Sequence, residues 1–214
     1  MTLESAFPWI SAASALAAGF FPTEGRTGRV LRASSLGALA LYAYFRWITP
    51  TSVPMALTCL ALGQAILPDG PRRWRRWTVA LPAIGWMILA NLYRTTGDGP
   101  GVFIGDAVKA GLLAALLIGA GYGLWRAWRW TPPPGVGAVA VAEAGALLVM
   151  GVTSLTLDWD FWPVMTGALA VLASFALTLY SGGVAGKAPS PAIARAAWGL
   201  TFAGQAAMAY AFLR

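Results

Sequence analysis

Apolar residues along the chain fall into long runs separated by short polar stretches. Runs of the roughly 17 to 25 residues needed to cross a bilayer as helix cover positions 6–21, 34–50, 52–68, 77–93, 107–126, 136–156, 162–182 and 195–213. The connections are brief and rich in Gly, Pro and charge, as in PDGPRRWRR and TTGDGPG. In hydrocarbon every backbone N–H and C=O must be bonded within the segment, which predicts helices. Their 3.6-residue periodicity is weak because a lipid-facing side is apolar as well. The expected fold is an all-α integral membrane protein, a single domain built as a compact bundle of eight transmembrane helices.

Small residues are dense inside these runs, in SALAAG, GAGYG and GVGAVAVAEAGA, and they let helix backbones approach closely. GAGYG follows no strand and lies within a span, so it reads as packing rather than as a nucleotide loop. SALAAG has the small residues of a signal-peptide cleavage site, but the leader MTLES carries no Lys or Arg, so the first run is read as a retained span.

Composition agrees with the pattern. Of 214 residues, 58% are hydrophobic and 11% charged, against about 25% charged in soluble domains. The net charge of +7 raises the question of nucleic acid, yet the basic residues sit between apolar runs and line no single polar face. Of the 15 Lys and Arg, 11 follow the odd-numbered spans: Arg26, Arg29, Arg32, Arg72, Arg73, Arg75, Arg76, Arg126, Arg129, Lys187 and Arg195. The opposite side has Arg46, Arg94, Lys109 and Arg214, together with Glu4, Asp98, Asp106, Asp158 and Asp160. The positive-inside rule places both termini outside the cytoplasm. The expected location is a bacterial inner membrane.

The chain has no histidine and one cysteine, Cys59, so it offers no Ser-His pair, His-ligated metal, imidazole base or disulfide framework. No metal and no cofactor is expected. Chemistry is left to carboxyls, amides, hydroxyls or water.

At membrane depth the polar side chains are Gln64, Asn91, Glu143 and Gln205, with Ser174 as a possible companion. Each is costly in lipid and is expected to turn inward. Glu143 is the one carboxyl deep in a span. It lies eight residues past Gly135, about 12 Å along a helix axis. It reads equally as a buried acid and as a hydrogen-bonded tie between helices. For the amides the tie is the simpler reading, and for the four-arginine loop, a topology determinant that meets anionic headgroups.

The order of spans and polar positions resembles the YhhN-like lysoplasmalogenases, a family of eight-helix membrane proteins that hydrolyse the vinyl-ether bond of lysoplasmalogens. In ALTCLALGQAIL, Gly63 matches and Gln64 replaces the family's Asp; in GWMILANLY, Gly85 and Tyr93 match and Asn91 replaces His. GALAVLASFAL keeps Gly167 and Ser174 but has Phe175 where an Asp is expected, and LTFAGQ keeps Gln205 with Thr201 at a Tyr position. The family's span-6 Tyr and Met appear as Glu143 and Met150, and its Lys-Pro-Leu before span 2 survives only as Arg32.

The resemblance implies a membrane lipid or lysophospholipid as partner, with Gln64, Asn91, Ser174, Gln205 and Tyr93 against the substrate. The family reaction protonates an alkene carbon; water adds to the oxocarbenium, and the hemiacetal collapses to an aldehyde and a glycerophospho-alcohol. That step needs a positioned acid, which Gln64 and Phe175 cannot supply. Two readings follow: a hydrolase whose acid has moved to Glu143, or an inactive relative that binds lipid or assembles a membrane complex. A transporter ranks last, because no internal repeat or pair of broken helices is visible.

Overall fold

The computed structural model describes residues 3–21, 25–46, 49–66, 77–128, 137–178 and 190–212. Among them are nine α-helices and no strand: α1 (Leu3–Ala18), α2 (Arg26–Phe45), α3 (Ser52–Ala65), α4 (Trp77–Thr96), the one-turn α5 (Val102–Gly105), α6 (Ala107–Trp128), α7 (Gly137–Ser154), α8 (Trp162–Thr178) and α9 (Pro191–Ala211). A 3₁₀ turn, Trp159–Phe161, leads into α8. Each of the eight longer helices coincides with one predicted run, but the ends differ. α2 begins eight residues before the predicted 34–50, α4 runs three past 93, and α9 starts at Pro191 rather than 195. Hydropathy stops at the first arginine, whereas a helix continues as long as its backbone bonds do. One helical stretch, Trp159–Thr178, 20 residues, is long and apolar enough to cross a membrane by length and composition. Apolar stretches in α1, α3, α6 and α7 are shorter. The basic positions Arg72, Arg73, Arg75, Arg76, Arg129, Lys187 and Arg214 lie outside the described residues.

The helices pack in sequence as α1 on α2, α2 on α3 and α3 on α4; α4 then packs on α7, α7 on α8, α8 on α9, and α9 closes back on α2. Six helices thus form a ring. Its inner faces supply one continuous core, including Leu36, Leu57, Trp86, Tyr93, Leu147, Met150, Val164 and Met208. α1 lies outside α2 and is tied to α9, where Trp198 Nε1 donates to Ala15 O at 3.0 Å. α6 leans on α7 from outside.

Two ends can be told apart by charge. At one end Arg29 Nη1 donates to Ile66 O, just past α3, at 3.0 Å, and the buried Arg32 donates to Ala18 O and Phe21 O at the end of α1 at 3.4 and 3.5 Å. Cations there meet the unpaired carbonyls and the negative pole of the helix dipole. Arg32 also lies 5.1 Å from the Trp198 ring centroid, which brings the first turns of α9 to this basic end. At the other end Asp98 N donates to Thr156 O at 3.0 Å, so α4 and α7 finish together and run parallel. Tyr93 stacks on Phe212 at 6.1 Å, so α9 finishes there too and also runs parallel to α4.

Close approach depends on missing side chains. A Cβ at Gly167 would stand 2.5 Å from Gly204 O, and one at Gly204 would stand 2.5 Å from Gly167 O. The α8–α9 crossing therefore needs glycine on both helices. Gly63 likewise leaves room for the Pro82 ring, which a Cβ would meet at 2.6 Å. α9 starts with Ser190 capping Ile193 N at 3.4 Å and Pro191 in the first turn, where a missing N–H costs nothing.

Candidate functional site

Three of the expected polar residues lie along inward stripes. Gln64 follows Leu57, Leu60 and Ala61 at helical spacing on α3 and is half-buried. Glu143 precedes Ala146, Leu147 and Met150 on α7, all three buried, and is itself half-buried. Gln205 on α9 is 3% exposed, and its Oε1 has no hydrogen-bond partner. On α4, Tyr93 is fully buried with an unpartnered hydroxyl, and Trp86, seven residues earlier, is buried with an unpartnered Nε1. Leaving such a buried group unpaired costs about 1–3 kcal/mol. Three of them on α4 and α9 make the polar economy of the interior incomplete.

The other two expected residues are placed differently. Asn91 does not face the interior: it is exposed, and its Oδ1 accepts from Arg94 Nη2 at 3.2 Å. The reason is register. Trp86, Leu89, Ala90 and Tyr93 take the inner side of α4, while Asn91 falls on the outer stripe with Ile84 and Met87. Ser174 is buried, yet its hydroxyl is engaged by Ala197 O at 2.7 Å and Thr201 Oγ1 at 2.7 Å, and Thr201 also donates to Ala197 O at 3.0 Å. The Ser174–Thr201 pair thus ties α8 to α9. The five residues do not converge on one point. Phe175 packs its ring against the core, so an apolar group fills the place where the resemblance expects an acid.

A further polar cluster, at the acidic end, was visible in the sequence only as loop charges. Asp106 Oδ1 caps α6, accepting from Val108 N at 3.0 Å and Lys109 N at 3.1 Å, while its Oδ2 accepts from Trp159 Nε1 at 2.7 Å. Lys109 is 2% exposed; its Nζ donates to Leu157 O at 2.6 Å and lies 5.3 Å from the Trp159 ring centroid. The amide N–H of Lys109 above all, with Trp159, Val108 and the Lys109 charge, holds the Asp106 carboxyl below the usual aspartate range. Asp98 is displaced the other way: a hydrogen bond with the Asp158 carboxyl, and then that neighbour's charge, raise it. Asp106 directly before an apolar run is an N-cap signal. Its link to Trp159 spans 53 positions and has no sequence signature.

No family model, no curated protein and no solved structure matches the chain. The resemblance described above therefore rests on the quoted residues alone. Among the described residues, no group of three or more His, Cys, Asp or Glu side chains could hold a metal ion. On the inner stripes of the ring, the described residues offer uncharged hydrogen-bonding capacity beside the half-buried Glu143 carboxyl.

Proposed function

We propose that the chain is an eight-span membrane protein, both termini on the non-cytoplasmic side, whose helical ring binds a single-chain amphiphile such as a lysolipid without efficiently hydrolysing it. The observation that carries this reading is α6. From 107 to 122 its one buried residue is the charged Lys109, while Val108, Leu117, Ile118 and Tyr122 are 60%, 53%, 73% and 52% exposed. A helix apolar all round belongs in a protein core or in lipid, and α6 sits on the outside of the ring. Trp9, Leu16, Phe20 and Tyr44 on and beside α1 and α2 are exposed to a similar degree. Arg29 and Arg32 at one end, with Asp98, Asp106 and Asp158 at the other, support the orientation.

The chemical half of the proposal rests on what stands at the acid positions. Gln64 cannot donate the required proton, and Phe175 is part of the core. Lipid extraction of the purified protein tests the binding. A single-chain lipid in stoichiometric amount is expected, and protein that comes through extraction clean defeats the reading. With lysoplasmalogen as substrate, turnover should fall short of that of an acid-bearing hydrolase by the ~10²–10⁴-fold that general-acid help supplies.

A second reading, hydrolysis with Glu143 as acid, is favoured by the place of Glu143 on the inner stripe of α7. It requires activity that Glu143→Gln abolishes. Fast turnover indifferent to that substitution contradicts both readings.

A further inference from the structure

We propose that Trp86, Tyr93 and Gln205 form a polar site inside the ring, between α4 and α9, that receives an uncharged, hydroxyl-bearing lipid headgroup of the glycerol type. The inference rests on the amphiphile-binding reading and names where the amphiphile's polar end sits. Three buried polar atoms lack a partner, the Trp86 Nε1, Tyr93 Oη and Gln205 Oε1, on residues 4%, 0% and 3% exposed. α4 and α9 run parallel with Tyr93 and Phe212 stacked near their ends. Trp86 precedes Tyr93 by seven residues and Gln205 precedes Phe212 by seven, two turns on each helix. Trp86 and Gln205 therefore lie on facing stripes at one depth, about 10 Å below the stack. Side chains of both helices lean toward the N terminus alike, so Tyr93 Oη stays about two turns above Trp86 and Gln205 and the three atoms mark the length of the site, about 10 Å.

The chemistry of the set selects the ligand. An indole N–H only donates, an amide oxygen only accepts, and a phenol does either. A hydroxyl, which also gives and accepts, can satisfy any of the three, and a glycerol headgroup carries several along the length of the site. A phosphate has no counter-charge here. On the ring helices the described basic residues Arg26, Arg29, Arg32, Arg94 and Arg195 lie toward the helix ends. Among the described residues the one acid on an inner stripe, Glu143, would repel an anion.

The test measures binding of an 18-carbon monoacylglycerol to the purified protein in detergent, with the lysophosphatidylglycerol of the same chain as comparison. Tyr93→Phe keeps the stack on Phe212, Trp86→Phe keeps an aromatic core residue, and Gln205→Leu keeps the size. Monoacylglycerol should bind saturably and more tightly than the anionic lipid, and each substitution should weaken it roughly tenfold, the value of one hydrogen bond. If monoacylglycerol binds but all three variants bind it like wild type, the site lies elsewhere: this inference is overturned and the broader proposal stands. Tighter binding of the anionic lipid overturns it as well. If neither lipid binds, both fall. Variants that change thermal stability without any lipid effect show atoms satisfied by water or left unpaired, which also overturns it.

Discussion

Replacing Gly204 by Ala should destabilise the bundle, while the same change five residues earlier, Gly199→Ala, should not. Both glycines lie in α9, and each gains up to about 1 kcal/mol of helix propensity on becoming Ala. The surroundings differ. A Cβ at Gly199 meets nothing within 4 Å, whereas one at Gly204 stands 2.5 Å from Gly167 O and 2.8 Å from Val171 Cγ2. Restoring that oxygen contact to an ordinary ~3.5 Å separation requires α8 and α9 to part by about 1 Å. Overpacking of this kind costs ~1–3 kcal/mol, so Gly204→Ala should lie between neutral and about 2 kcal/mol unstable after the propensity gain. The difference between the two variants isolates the steric part. At ~2–4 °C per kcal/mol for a chain of this size, their Tm values in detergent, followed by circular dichroism, should differ by about 2–12 °C. Gly167→Ala added to Gly204→Ala should cost less than the sum, because the helices have already parted. Equal stability of Gly199→Ala and Gly204→Ala would show that α8 and α9 do not cross at this glycine pair.

Ser174→Ala removes the tie to Ala197 O and Thr201; such a bond is worth about 0.5–1.5 kcal/mol net, and Thr201→Ala in the same background should add little. An additive double mutant in thermal melts would contradict the shared network. The Asp98–Asp158 pair predicts a pH dependence with a definite sign. The folded-state value of Asp98 lies above its ordinary 3.8, from the hydrogen bond with Asp158 and then its charge. The stability this contributes is therefore full below 3.8 and is lost as pH rises through the raised value. Asp98→Asn should abolish that loss, read as amide-exchange protection of residues 97–106 across acidic pH. Asp106, lowered below its ordinary 3.8 chiefly by the Lys109 amide, acts in reverse: its contribution is present above 3.8 and disappears as pH falls through the lowered value. Protection that does not fall as pH rises above 3.8 in wild type, or that falls equally in Asp98→Asn, would contradict the role given to the Asp98–Asp158 pair.

The hydrophobic pattern alone determined that the chain is helical and where eight long helices lie, because an apolar run bounded by Gly, Pro and charge has few other ways to satisfy its backbone. It also set aside the chemistry of histidine and disulfides, since an absent residue type needs no structure to interpret. Helix ends were less legible: α2 extends back through Arg32 and Arg29, whose guanidinium groups are received by carbonyls at the ends of α1 and α3, and the α3 carbonyl is remote in sequence. Which side of a helix faces inward was decided by packing. Asn91 and Tyr93 are two positions apart on α4 yet occupy opposite surfaces, a rotation of about 200° that hydropathy cannot assign when both sides are apolar. The meaning of a polar residue was decided by its partners as well. Ser174 proved to be a tie because Thr201 and Ala197 O stand opposite it, and Lys109, one charge in a topology tally, is buried because Leu157 O and Trp159 come from the far side of α7. Trp86 entered the interior polar set for the same reason: its indole N–H counts as unpaired only once the ring of helices has closed around it.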